Sequence, residues 1–74
     1  MGLRAHLDRV CREWRLSPRE REVLAILVAG EPNREAALRL GCTVRTIEFH
    51  ITNILRKSGL RRRGELAGAI LRRL

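Results

Sequence analysis

Seventy-four residues allow one small domain, whose core buries only a little over ~60% of the unfolded surface. A hydrophobic share of 45% and a mean hydropathy of −0.21 exclude a disordered chain, and the scarcity of aromatics (Trp14 and Phe49) favours an aliphatic helical core over a β-sandwich. The formal charge of +8 is uneven: residues 1–44 carry eight basic and six acidic side chains and residues 45–74 eight and two, which puts the positive field on the C-terminal part, as on a polyanion-binding face.

Other classes find little support. Arg4, His6, Asp8 and Arg9 interrupt the N-terminus, so no secretory segment is expected. The longest apolar run, Val23 to Ala29, falls far short of the ~20 residues of a membrane span. Cys11 and Cys42 stand isolated, and with His6 and His50 they make no metal-binding spacing. They are expected to be reduced thiols of a cytoplasmic protein. No paired carboxylates, nucleophile–base set or phosphate loop occurs, so the chain reads as no enzyme, without metal or cofactor.

Along the chain, Leu3, Leu7, Val10, Cys11 and Trp14 form one apolar helical stripe, within an N-terminal helix or linker assigned to residues 1–15. That stripe is expected to pack on the rest of the molecule rather than face water. The main domain is assigned to residues 16–74. Ser17-Pro18-Arg19-Glu20 supplies an N-cap, a proline at the first helical position and a capping-box glutamate. The helix it starts carries Val23, Leu24, Leu27 and Val28 and stops at Gly30. Pro32-Asn33 opens a short helix with Ala36, Ala37 and Leu40, closed by Gly41. Thr43 caps a longer helix ending near Ser58-Gly59, and a last helix holds Leu66, Ala67, Ile70, Leu71 and Leu74. The pattern predicts an all-α fold: four helices in a helix-turn-helix arrangement, plus the N-terminal helix.

The helix after Thr43 divides into two faces at about 100° per residue. Ile47, His50, Ile51, Ile54 and Ser58 suit a core, whereas Arg45, Glu48, Phe49, Thr52, Asn53 and Arg56 offer groups that meet base edges and phosphates. An exposed Phe49 suits contact with a thymine methyl group. Arg45 and Thr46, at the helix start, suit phosphate, as do Arg61 and Arg62 in the triple-arginine run with Arg63.

The ordered set Leu16-Ser17-Pro18-Arg19-Glu20-Arg21-Glu22-Val23-Leu24, Gly30, Asn33, Glu35, Ala37, Leu40, Thr46-Ile47, His50, Arg56-Lys57, Gly59-Leu60, Arg63, Glu65 and Leu66 resembles the LuxR/GerE family of helix-turn-helix regulators. The resemblance implies that the helix over about 43–58 enters the major groove of DNA. By it, Glu48, Phe49 and Thr52 match positions that commonly face bases, and Asn53 lies on the same outer face. Thr46, Lys57 and Arg61 match positions that often approach phosphates. The last helix resembles one through which family members dimerise, which makes Leu66, Ala67, Ile70, Leu71 and Leu74 the expected homodimer interface.

Departures from the family pattern are Ser58 in place of a leucine, Ala36 for an isoleucine, Glu48 for a lysine, and Arg62 at the usual Ser/Asn cap. Ser58 is expected to loosen the core and Arg62 to leave the last helix start frayed. The function these observations imply is sequence-specific binding of double-stranded DNA in transcription regulation, by a bacterial protein of the cytoplasm and nucleoid, with RNA polymerase as a further partner. The alternatives are a sigma-factor region-4-like module docking on polymerase and a protein-interaction adaptor.

Overall fold

In a computed structural model, which describes residues 2–72, the chain forms α1 (Leu3–Glu13), α2 (Pro18–Val28), α3 (Asn33–Leu40), α4 (Val44–Ser58) and α5 (Arg63–Arg72). No strand occurs among the described residues. The all-α helix-turn-helix reading holds.

The capping signals act as their chemistry requires. Ser17 Oγ accepts from the Glu20 amide at 3.2 Å, and the Ser17 amide donates to Glu20 Oε1 at 2.9 Å, which closes the capping box. Gly41 ends α3 at φ +65°, a left-handed conformation that lets the Cys42 amide reach back to the Ala37 carbonyl at 3.0 Å. The chain turns there and enters α4, where Thr43 Oγ1 accepts from the Thr46 amide at 3.2 Å.

The core is aliphatic. Val23, Leu24, Ile26 and Leu27 of α2 meet Ala36 and Ala37 of α3 and the Ile47, Ile51 and Ile54 row of α4. Leu16, Val10, Cys11, Leu66 and Ile70 complete it. Each fully buried Leu, Ile or Val adds about 1.5–3 kcal/mol of apolar transfer, so this cluster positions α4 on the rest of the molecule. The N-terminal stripe packs as expected except at its first residue: Val10 and Cys11 are buried, Leu7 and Trp14 lie half-buried against the cluster, and Leu3 is exposed.

His6 enters the interior as well, and it joins the two ends of the chain. Its Nε2 donates to the Ile70 carbonyl at 2.6 Å, and its Nδ1 accepts from Arg9 at 2.9 Å. A carbonyl only accepts and a guanidinium only donates, so in these two bonds Nε2 is the donor and Nδ1 the acceptor.

Four expectations are corrected. Ser58 is half-buried and satisfied rather than a core defect, because its hydroxyl donates to the Leu55 carbonyl at 3.1 Å and accepts from the Leu60 amide at 3.2 Å. The α5 start is tied down without a Ser/Asn cap, because Glu65 Oε1 accepts from the amides of Arg61 at 3.3 Å and Arg62 at 2.9 Å. Arg63, though exposed like the rest of the arginine run, is engaged within the protein, bonding Asn33 Oδ1 and, at 3.1 Å, the Glu31 carbonyl. Leu66 and Ile70, placed at a dimer face, are 1% and 0% exposed within the monomer, so they are not available to a partner. Of the expected dimer residues, Ala67 is half-buried, Leu71 is 53% exposed and Leu74 lies outside the described residues.

Candidate nucleic-acid interface

The outer face of α4 follows from where its isoleucines point. With Ile47, Ile51 and Ile54 fixed in the core, Arg45, Phe49, Thr52 and Arg56 fall within an arc of about 60° on the opposite side, spread over about 16 Å of helix. All four are exposed, as is Glu48 on one flank; Asn53 on the other flank is half-buried. Phe49 stands out at 64% exposure, for its ring finds only the edge of His50, with centroids 6.0 Å apart. A large ring left in water beside cations is an unpartnered apolar surface within a polar one.

Several polar groups on this face are already engaged. Thr52 Oγ1 donates to the Glu48 carbonyl at 3.0 Å, one turn back in its own helix. Arg56 bonds Asn53 Oδ1. Thr46 is half-buried at the helix start, its hydroxyl 3.1 Å from that of Thr43. The guanidinium groups of Arg45, Arg61 and Arg62 are exposed and have no hydrogen-bond or ion-pair partner among the described residues. They flank the face at its two ends.

Lys57 is placed differently from the resemblance-based expectation. Its Nζ lies 2.7 Å from Glu20 Oε1 and 3.5 Å from the Arg15 carbonyl, so its ammonium is turned toward α2. Burial alone would raise the Glu20 carboxyl. The hydrogen bonds from Lys57 and Ser17, with the charge of Lys57, outweigh it and hold the group below the usual carboxylate range. This ion pair was invisible in the sequence because its members are 37 residues apart.

Two further apolar side chains escaped the sequence reading: Leu38 of α3, 71% exposed, and Val44 in the first turn of α4. Both sit beside the turn that leads into α4. A leucine off the core phase of α3 was the available signal. Burial pushes the Cys11 thiol up, which disfavours its thiolate, and Cys42 is half-buried; both cysteines are free. No cluster of three or more metal-ligating side chains occurs among the described residues, and no helix there is long and apolar enough to cross a membrane.

The sequence over residues 15–69, which holds α2, α3, α4 and most of α5, matches a family model described as bacterial regulatory proteins, luxR family. The chain belongs to the luxR family of bacterial regulatory proteins. Among its relatives, the transcriptional regulatory protein MctR of Rhizobium johnstonii is 47% identical over 45 residues, 61% of this chain and 21% of that protein. The nitrate/nitrite response regulator protein NarL of Escherichia coli is 40% identical over 52 residues, 70% of this chain and 24% of NarL. The transcriptional regulatory protein TdiR of Thauera aromatica is 39% identical over 67 residues, 90% of this chain and 28% of TdiR. This luxR-family domain thus spans about a quarter of the length of these relatives. No solved structure gives a significant match to it.

Proposed function

We propose that this luxR-family domain binds double-stranded DNA sequence-specifically and regulates transcription, with α4 in the major groove. The observation that carries the reading is the outer face of α4, where an exposed aromatic ring is flanked by Arg45, Glu48, Thr52 and Arg56. A solvated helix has no use for such a ring; a groove offers it thymine methyl groups. Arg45, Arg61 and Arg62 serve as phosphate contacts, with Thr46 at the helix start; Glu48, Phe49, Thr52 and Asn53 read bases. Arg56 reaches phosphate once it leaves Asn53. Lys57 holds α4 to α2 and adds positive field rather than a direct contact.

The regulator works as a homodimer on a two-fold site, joined through the exposed side of α5 around Ala67 and Leu71, on the chromosome of a bacterial cytoplasm. Selection of bound duplexes from a random pool, followed by titration against salt, tests the reading. About four to six neutralised phosphates per monomer give a log–log slope near −4 to −5. A slope shallower than about −2, or no enriched sequence, overturns it.

A further inference from the structure

Four helices of this chain end at a left-handed residue, Gly59 after α4 among them, and the other three share one further bond. After α1, α2 and α3, the residues at positive φ are Arg15 (+56°), Gly30 (+86°) and Gly41 (+65°). In each case the next amide reaches five residues back: Leu16 to the Cys11 carbonyl at 3.0 Å, Glu31 to Ile26 at 3.3 Å and Cys42 to Ala37 at 3.0 Å. Glycine makes this turn without a steric penalty, and a residue with a Cβ does not. Two of the three turns use glycine. The third carries the longest cationic side chain available, and Arg15 is the one non-glycine residue at positive φ among those described.

The place of that turn gives the arginine a use. The Arg15 carbonyl lies 3.5 Å from Lys57 Nζ, so the turn abuts the last turn of α4, at one end of the face proposed to enter the groove. The cations of that last turn are engaged within the protein, Lys57 by Glu20 and Arg56 by Asn53. The Arg15 side chain is exposed and has no hydrogen-bond or ion-pair partner among the described residues. A guanidinium there meets a phosphodiester with two parallel N–H donors, a geometry that suits phosphate better than an ammonium does.

We propose that Arg15 is a DNA-phosphate contact, carried to the flank of α4 by a left-handed turn that glycine would make at less strain. This rests on the DNA-binding reading above. Strain retained at an exposed residue is then the cost of a contact made in the complex.

The test is Arg15→Gly, assayed for thermal stability and for binding to the selected duplex across a salt series. Relief of the turn raises Tm by roughly 4–8 °C. Loss of one phosphate contact weakens binding about eightfold at 0.1 M salt and flattens the log–log slope by about one unit. Arg15→Lys restores most of the slope. Arg4→Gln removes an equal charge at the other end of α1, about 16 Å along the helix, and leaves the slope unchanged. Unchanged binding and slope in Arg15→Gly, with a normal wild type, overturn the proposal alone. So does an equal slope change in Arg4→Gln, since net charge would then suffice. Absence of salt-dependent duplex binding by the wild type overturns the DNA reading and this contact together.

Discussion

Glu20 in the first turn of α2 and Lys57 in the last turn of α4 form a 2.7 Å ion pair that joins the start of one helix to the end of the other. Glu20 is buried and also closes the capping box, so one carboxylate sets both the start of α2 and the seating of α4. Because its folded pKa is depressed, the stability it adds is present above the ordinary carboxylate range and is lost as pH falls through the lower folded value. Thermal melts should therefore hold steady from about pH 8 to 5 and decline below about pH 4. Glu20→Gln should lose about 1–2 kcal/mol at neutral pH and show a shallower acid decline. An acid decline identical to the wild type would assign it to other carboxylates.

His6 should matter more for stability than its place near the N-terminus suggests. Its Nε2–H satisfies a carbonyl in the last turn of α5, where no intrahelical donor remains among the described residues. His6→Ala removes that donor and leaves a space under α1. The expected loss is about 2–3 kcal/mol, read as a denaturant midpoint shift with unchanged m-value. A loss under about 0.5 kcal/mol would show that water replaces the ring.

Readout and anchoring on α4 should separate. Phe49 is mostly exposed, so Phe49→Ala should change stability by less than about 0.5 kcal/mol. It should nevertheless cost about 1–3 kcal/mol on the preferred site and little on random duplex, with the salt slope intact. Arg45→Ala should weaken both kinds of site together and flatten the slope by about one unit. Competition binding with the two duplexes at several salt concentrations measures both effects. A Phe49→Ala variant with unaltered specificity would refute base contact by this ring.

On α5, neighbouring residues should behave in opposite ways. Ile70 is fully buried and Leu71 is exposed. Ile70→Glu should unfold the monomer, since an unpaired carboxylate cannot be buried there. Leu71→Glu should keep full helicity by circular dichroism and abolish cooperative occupancy of paired half-sites. Retained cooperativity in Leu71→Glu would place the dimer contact elsewhere.

Local features were legible in the sequence because their causes are local. The Ser17–Glu20 capping box, the stops at Gly30 and Gly41 and the Ile47, Ile51, Ile54 row each depend on residues a few positions apart. The two faces of α4 followed from that row, and so did the exposure of Phe49. What escaped depends on distant partners. Arg63 reads as one of three equal cations until Glu31 and Asn33, at the entry to α3, are brought beside it. Lys57 reads as a surface charge until Glu20 meets it. Leu66 and Ile70 share the spacing of an exposed stripe, and periodicity alone cannot distinguish a stripe turned to the core from one turned to a partner. His6 carried no signal, because the carbonyl it serves belongs to Ile70, 64 residues away.

That last bond makes a closed loop of the molecule. Because His6 grips the far end of α5, fraying of α1 frees the α5 carbonyl at the same moment, and fraying of α5 releases the ring. The outer helices should open and close as one cooperative unit, while α2, α3 and α4 open only with the whole domain. Amide exchange would then show α1 and α5 with a common opening free energy, both lowered together in His6→Ala. Force or a fusion partner pulling on one end would be felt at the other, through this hydrogen bond and the core that Val10, Cys11, Leu66 and Ile70 share.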